Sequence, residues 1–169
     1  ARAQEHGVWV GGSVPEVAAE GAHPYNTFVL AGPDGTQHRY RKIHRFAYGG
    51  EDRSFDAGDE RVAEDREALP FLRSDGRRVG KEGGWSGRAR RTAERAIENQ
   101  AYVVACNRVG TGGSGAGSVL EYAGDSAIVD PLGEALATGS RTEALLVADV
   151  TAERVAEVRK ALPFLADRR

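Results

Sequence analysis

An α/β fold is expected from three features of the 169-residue sequence. Apolar runs of strand length recur along it: GVWVGGSV (7–14), NTFVLAG (26–32), AYVVACN (101–107), SAIVD (126–130) and EALLVADV (143–150). Two stretches with helical spacing, 87–99 and 153–162, are interleaved with these runs. Neighbouring runs are joined by turn chemistry, Gly32-Pro33-Asp34-Gly35 and Pro131-Leu132-Gly133, in which proline presets φ and glycine accepts positive φ. Strands interleaved with a few helices define the α/β class, and the length suits one domain over 1–169.

Taken in order, residues 1–6 read as the end of a helix. GVWVGGSV should be a buried strand, with Gly11 and Gly12 admitting a neighbouring backbone. NTFVLAG and TQHRYRKIH (36–44) should form a hairpin about the 32–35 turn. Alternation along the second strand puts Tyr40, Lys42 and His44 on one face and Arg39, Arg41 and Ile43 on the other. Gly49, Gly50 and Gly58 then mark a loop. Residues 60–72, ERVAEDREALPFL, recur at 153–165 as ERVAEVRKALPFL, identical at eleven of thirteen positions. Two copies separated by unrelated sequence do not make a solenoid. In the second copy Val155, Val158 and Leu162 form an apolar stripe, with Thr151 as N-cap. Asp65 interrupts that stripe in the first copy, so the second should be the better helix. Each copy ends at a proline.

Over 87–99, Ala89, Ala93, Ala96 and Ile97 make a small apolar face. Arg88, Arg91 and Arg95, mixed with Glu94 and Glu98, make a solvated one supported by opposite charges. AYVVACN should be a core strand, because its apolar run is continuous. GTGGSGAG (110–117) reads as a flexible loop; it lacks the lysine and hydroxyl residue that close a phosphate cradle. SAIVD and EALATG (134–139) should form a second hairpin, and EALLVADV the last strand.

A net charge of −2 exerts no general pull toward nucleic acid. No apolar run reaches membrane-spanning length, and no signal-peptide pattern opens the sequence. The single cysteine excludes an internal disulfide and fits a reducing compartment, so a cytoplasmic location is expected. His6, His23, His38 and His44 lack metal-ligand spacing, and no metal or cofactor is expected. Ser13 and Ser126 lack a nucleophile-elbow context.

The most heavily functionalised stretch is 40–59, YRKIHRFAYGGEDRSFDAGD, a basic strand followed by a glycine-punctuated acidic loop. Its YRKIH, GGE and F-x-AGD resemble the segment around the catalytic lysine of the nitrilase superfamily, the carbon–nitrogen hydrolases. GGSVPE (11–16), YNT (25–27) and PDG (33–35) precede it in that family's order. RAIENQAYVVACNRVG (95–110), Gly124-Asp125-Ser126, IVDPLGE (128–134) and ERVAEVRKALPFLADRR (153–169) follow in the same order. The resemblance covers 1–59 and 86–169 and leaves 60–85 as a divergent insert resembling the C-terminal segment.

The resemblance implies part of the family's αββα sandwich, with subunits pairing across a two-fold as a homodimer. It also implies hydrolysis of small amides or nitriles by covalent thiol acyl transfer. That route needs a cysteine thiolate, a proton-shuttling glutamate and a lysine that stabilises charge on the attacked atom. Lys42 carries over to the lysine position, and Glu51 to a further glutamate that orders the site. Glu16 matches GGSVPE, which is not the family's catalytic glutamate; the strand–helix unit bearing that one has no match here. Where the nucleophile strand is expected, GRRVG (76–80) is followed by Lys81-Glu82-Gly83-Gly84-Trp85, without a cysteine. Cys106, the one thiol, falls in AYVVACN and is expected to be a buried, unreactive hydrophobe.

Three readings follow. The chain is a carbon–nitrogen hydrolase of small amides, impaired or inactive in these residues; or a non-catalytic, homo-oligomerising relative; or a module whose basic strand 38–45 binds an acidic partner with salt-sensitive affinity. Lys42 is expected at a strand end with its ammonium near Glu51. Pro163-Phe164-Leu165 is expected to pack on the core or on a partner subunit.

Overall fold

The computed structural model describes residues 2–45, 47, 50–59, 85–113 and 119–167. They fall in two compact units, one within 2–59 and one within 85–167. The insert and the first copy of the repeat lie outside the described residues.

The first unit contains α1 (Arg2–His6), β1 (Val10–Glu16), β2 (Tyr25–Ala31) and β3 (Gln37–Arg41). The strands form an antiparallel sheet in the order β1-β2-β3. The expected hairpin is present: the Gly32 amide donates to the Thr36 carbonyl at 2.8 Å, and Gly35 takes φ +93°. Asp34 closes the turn by accepting from the Thr36 amide at 2.9 Å. Because the turn closes at Gly32 and Thr36, Thr27 stands opposite Arg41. The ladder continues one residue past β3, the Lys42 amide donating to the Asn26 carbonyl at 2.8 Å.

Beyond Lys42 the chain returns to the same strands. Asp56 bridges Tyr25 in parallel, and the Gly58 amide donates to the Lys42 carbonyl at 3.0 Å. A side chain at Gly58 would collide with the Arg41 carbonyl oxygen, so glycine is needed for this close return. The expected burial of β1 is corrected: Val8, Trp9, Val10 and Val14 are all exposed. β1 is an edge strand, and its apolar run is not covered on both faces. Gly11 does admit a neighbour, the Phe28 ring, whereas Gly12 faces open space.

The second unit contains α2 (Trp85–Asn99), β4 (Val103–Ala105), β5 (Val109–Gly113), β6 (Val119–Ala123), β7 (Ser126–Val129), β8 (Ala135–Gly139) and α3 (Ala152–Ala161). One antiparallel sheet has the order β4-β7-β8, and β5 and β6 form a separate ribbon. The core joins Ala96 of α2 to Ala127 and Val129 of β7, with Ala93 and Val103 packed against it. Its alanines let the helix approach the sheet closely.

Four expectations about this unit are corrected. β4 is covered on one face only, so Val104 is 63% exposed and Cys106, just past the strand, is exposed too. Ile97, at the margin of the α2 apolar face, is exposed, although its tip contacts Gly133. Residues 110–113, read as loop, belong to β5, because backbone pairing with β6 does not require side chains. Residues 143–150 join no ladder among the described residues. Arg141 sits at φ 62° with its amide on the Ala123 carbonyl, which turns the chain away from β8. Leu146 lies against Gly139, but Leu145 and Val147 face outward.

The repeat's second copy is helical as expected, with the Thr151 hydroxyl accepting from the Arg154 amide at 3.2 Å. Its one buried side chain is Val158, the position at which the first copy carries Asp65. Arg154 anchors α3 to Asp130 at 3.1 Å, and the Gln100 side chain donates to the Leu162 carbonyl at 2.5 Å. Burial pushes the Asp130 pKa up. The Glu134 amide, the Arg154 guanidinium and the Leu132 amide outweigh it, leaving the carboxyl lowered. Phe164 is not packed on the core; it is exposed.

Candidate active site

The two residues singled out in the sequence meet. Lys42 ends the β3 ladder, and Glu51 opens a single helical turn after the glycine-punctuated bend at Gly50, whose φ is +76°. Lys42 Nζ donates to Glu51 Oε2 at 2.6 Å, with the two side chains 17% and 13% exposed. This is a short, charge-assisted bond in a partly desolvated setting. The other carboxylate oxygen, Oε1, accepts from Asn26 Nδ2 at 2.8 Å. An ammonium has three donors. Besides the bond to Glu51, Lys42 Nζ has no hydrogen-bond partner among the described residues, so it retains capacity for a new acceptor.

Asn26 carries no role in the sequence reading, although YNT is one of its motifs. Hairpin closure between Gly32 and Thr36 places Asn26 opposite Lys42, which is the signal that identifies it.

Glu16 occupies the other face of the sheet. Its carboxylate accepts from Arg41 at 3.1 and 3.0 Å, from the Thr27 hydroxyl at 2.7 Å and from Arg39 at 3.3 Å. The Arg41 hydrogen bonds, followed by that of Thr27, hold its pKa down at about 2. Arg41 also stacks over the Tyr25 ring, 4.4 Å from its centroid. Glu16 is therefore a saturated structural anion rather than a proton carrier at neutral pH.

Cys106 belongs to the second unit. No base is hydrogen-bonded to it among the described residues, and a thiol without such a partner is a poorly activated nucleophile. Among those residues no group of three His, Cys, Asp or Glu side chains converges as a metal site. A depression of about 220 Å³ between α2 and β7–β8, lined by Arg90, Ala93, Ala127 and Val129, contains neither Lys42 nor Cys106. No described helix is long and apolar enough to cross a membrane.

The chain matches the family model described as carbon-nitrogen hydrolase over residues 85–160. It is 33% identical over 189 aligned positions to the ω-amidase YafV of Escherichia coli K12, covering 99% of this chain and 71% of that protein. This chain belongs to the carbon–nitrogen hydrolase family. The match to YafV extends across Lys42 and Glu51, which lie outside the family model's match. The aligned positions outnumber this chain's residues, so YafV carries residues that the chain has no counterpart for.

A second relative, the 2-oxoglutaramate amidase of Paenarthrobacter nicotinovorans, is 31% identical, with 92% of this chain and 61% of that protein covered. The solved structure of XC1258 from Xanthomonas campestris, a CN-hydrolase superfamily protein with an arsenic adduct in its active site, superposes with TM-score 0.76. It shares 28% identity and covers 99% of this chain and 72% of that one. The α/β fold is therefore that of the nitrilase superfamily.

Proposed function

We propose that these residues carry the charge-stabilising half of an amidase centre, Lys42 held by Glu51, and do not by themselves turn over amides. The observation that supports this reading is the 2.6 Å pair, with Lys42 retaining donor capacity beside it. When a nucleophile attacks an amide carbon, negative charge develops on the carbonyl oxygen. A donor fixed toward that oxygen lowers the barrier by about 3 kcal/mol. The similarity to an ω-amidase and a 2-oxoglutaramate amidase supports a small ω-amide as substrate class. Attack by a thiolate would release ammonia and leave an acyl-enzyme for water to cleave.

The one thiol present is Cys106, without a hydrogen-bonded base. Catalytic groups of this kind act as a unit, so an oxyanion stabiliser alone gives little rate. Ammonia release from a panel of small ω-amides and carbamoyl compounds tests the proposal. The expected result is no release that depends on either Cys106→Ser or Lys42→Ala. Turnover abolished by both substitutions would overturn it and make Cys106 the nucleophile.

A second reading is favoured by the outward-facing Leu145, Val147 and Phe164, which suit a surface covered in a homo-oligomer. It predicts a sedimentation coefficient above that of a monomer, without turnover. The single cysteine fits the reducing cytoplasm as the working compartment.

A further inference from the structure

We infer that Asn26 is the positioning residue of the Lys42–Glu51 centre, and that one residue holds both members. This rests on reading Lys42 as the charge-stabilising group, but its test needs no turnover. Asn26 makes two separate contacts. Its backbone carbonyl accepts the Lys42 amide at 2.8 Å, which fixes where the lysine leaves the sheet. Its side-chain Nδ2 donates to Glu51 Oε1 at 2.8 Å, which fixes how the carboxylate faces.

Glutamate is a flexible side chain with substantial rotamer entropy to lose on ordering. With Oε1 held, Oε2 is directed to Lys42 Nζ. Without that bond the carboxylate loses a donor that fixes its rotation, and the direction of the ammonium loosens with it. Side-chain chemistry at position 26 is narrowly constrained. The group must donate, so leucine fails. It must reach Oε1 from the β2 backbone, so serine is too short. It must not carry a negative charge beside Glu51, so aspartate opposes the pair. The adjacent Thr27 is committed to Glu16 on the other face and offers no substitute.

Lysine acylation by an N-hydroxysuccinimide acetate reports the pairing directly, because an ammonium held against a carboxylate reacts slowly. The chain has three lysines, Lys42, Lys81 and Lys160, which peptide mass mapping resolves. Relative to Lys160, labelling of Lys42 is expected to rise roughly tenfold in Asn26→Leu, as for loss of one hydrogen bond to a charged group. Glu51→Gln should raise it as well. Because Asn26 acts through Glu51, the double variant should label no faster than Glu51→Gln alone. Should Asn26→Leu fail to fold by circular dichroism, Asn26→Ser is measured in its place. Unchanged Lys42 labelling, or effects of the two substitutions that simply add, would overturn the inference. A purely structural role would instead accelerate hydrogen exchange along the whole β2–β3 ladder. If Lys42 has no part in amide chemistry, these labelling ratios still hold and the failure appears only in the ammonia assay.

Discussion

Two glutamates are bound on opposite faces of one sheet, from adjacent cross-strand pairs, and they are bound differently. Thr27 and Arg41 face each other and serve Glu16; Asn26 and Lys42, one step along, serve Glu51. Successive residues of a strand alternate faces, so a single register sets both sites. Glu16 receives a hydroxyl and two guanidinium groups, one of them through two hydrogen bonds. A guanidinium is a planar fork whose geometry matches a carboxylate, and here much of its donor capacity goes into that match. Glu51 takes an amide from Asn26 and an ammonium from Lys42 among its partners. An ammonium is a compact charge with rotatable donors, and only part of that capacity is used. The residue choice along one strand thus distinguishes a closed clamp from a site able to answer new charge.

The largest effect on both sites is expected at Gly58, whose amide donates to the Lys42 carbonyl and where an added Cβ would collide with Arg41. Gly58→Ala pushes the returning chain away from both faces at once. It is expected to cost about 2 kcal/mol in urea unfolding. A cost near zero would mean that the return after Lys42 does not hold the sites together.

A smaller effect separates the two glutamates by pH. The Glu16 carboxyl is held below its ordinary 4.5, at about 2. A depressed carboxyl contributes stability that is complete above about pH 4.5 and is lost as the pH falls through 2. Wild-type unfolding free energy should therefore drop across that interval, and Glu16→Gln should flatten the drop. An equal slope in both proteins would show that the clamp is not what keeps this carboxyl ionised. Smallest of all, Arg39→Ala removes an exposed partner at 3.3 Å and should cost less than about 1 kcal/mol.

Both hairpins were legible in the sequence, because Pro33-Asp34-Gly35 and Pro131-Leu132-Gly133 specify turns by local chemistry. α3 was legible too, through Thr151 and the apolar spacing, although of Val155, Val158 and Leu162 only Val158 is buried and Leu162 lies exposed past the helix end. Lys42 and Glu51 were legible through the family resemblance, since nothing in a basic strand and an acidic loop says that they meet. The misread apolar runs share a cause. An apolar run reports that a segment prefers a strand, not that anything covers it, and so β1 and Val104 proved exposed. The run at 143–150 carries the same preference, yet the backbone at Arg141 sends it away from the sheet. β5 was hidden for the opposite reason: Gly110, Gly112 and Gly113 erase the side-chain pattern while leaving the backbone free to pair.

On the function proposed above, Lys42 and Glu51 stabilise charge that no nucleophile within these residues generates. Intact-protein mass spectrometry of samples acid-quenched during incubation with an excess of a small ω-amide tests this, because covalent acyl transfer passes through an acyl-enzyme that the quench traps. An unchanged mass at every time point is expected. A mass increase equal to the acyl group, mapped to Cys106 and absent from Cys106→Ser, would contradict it.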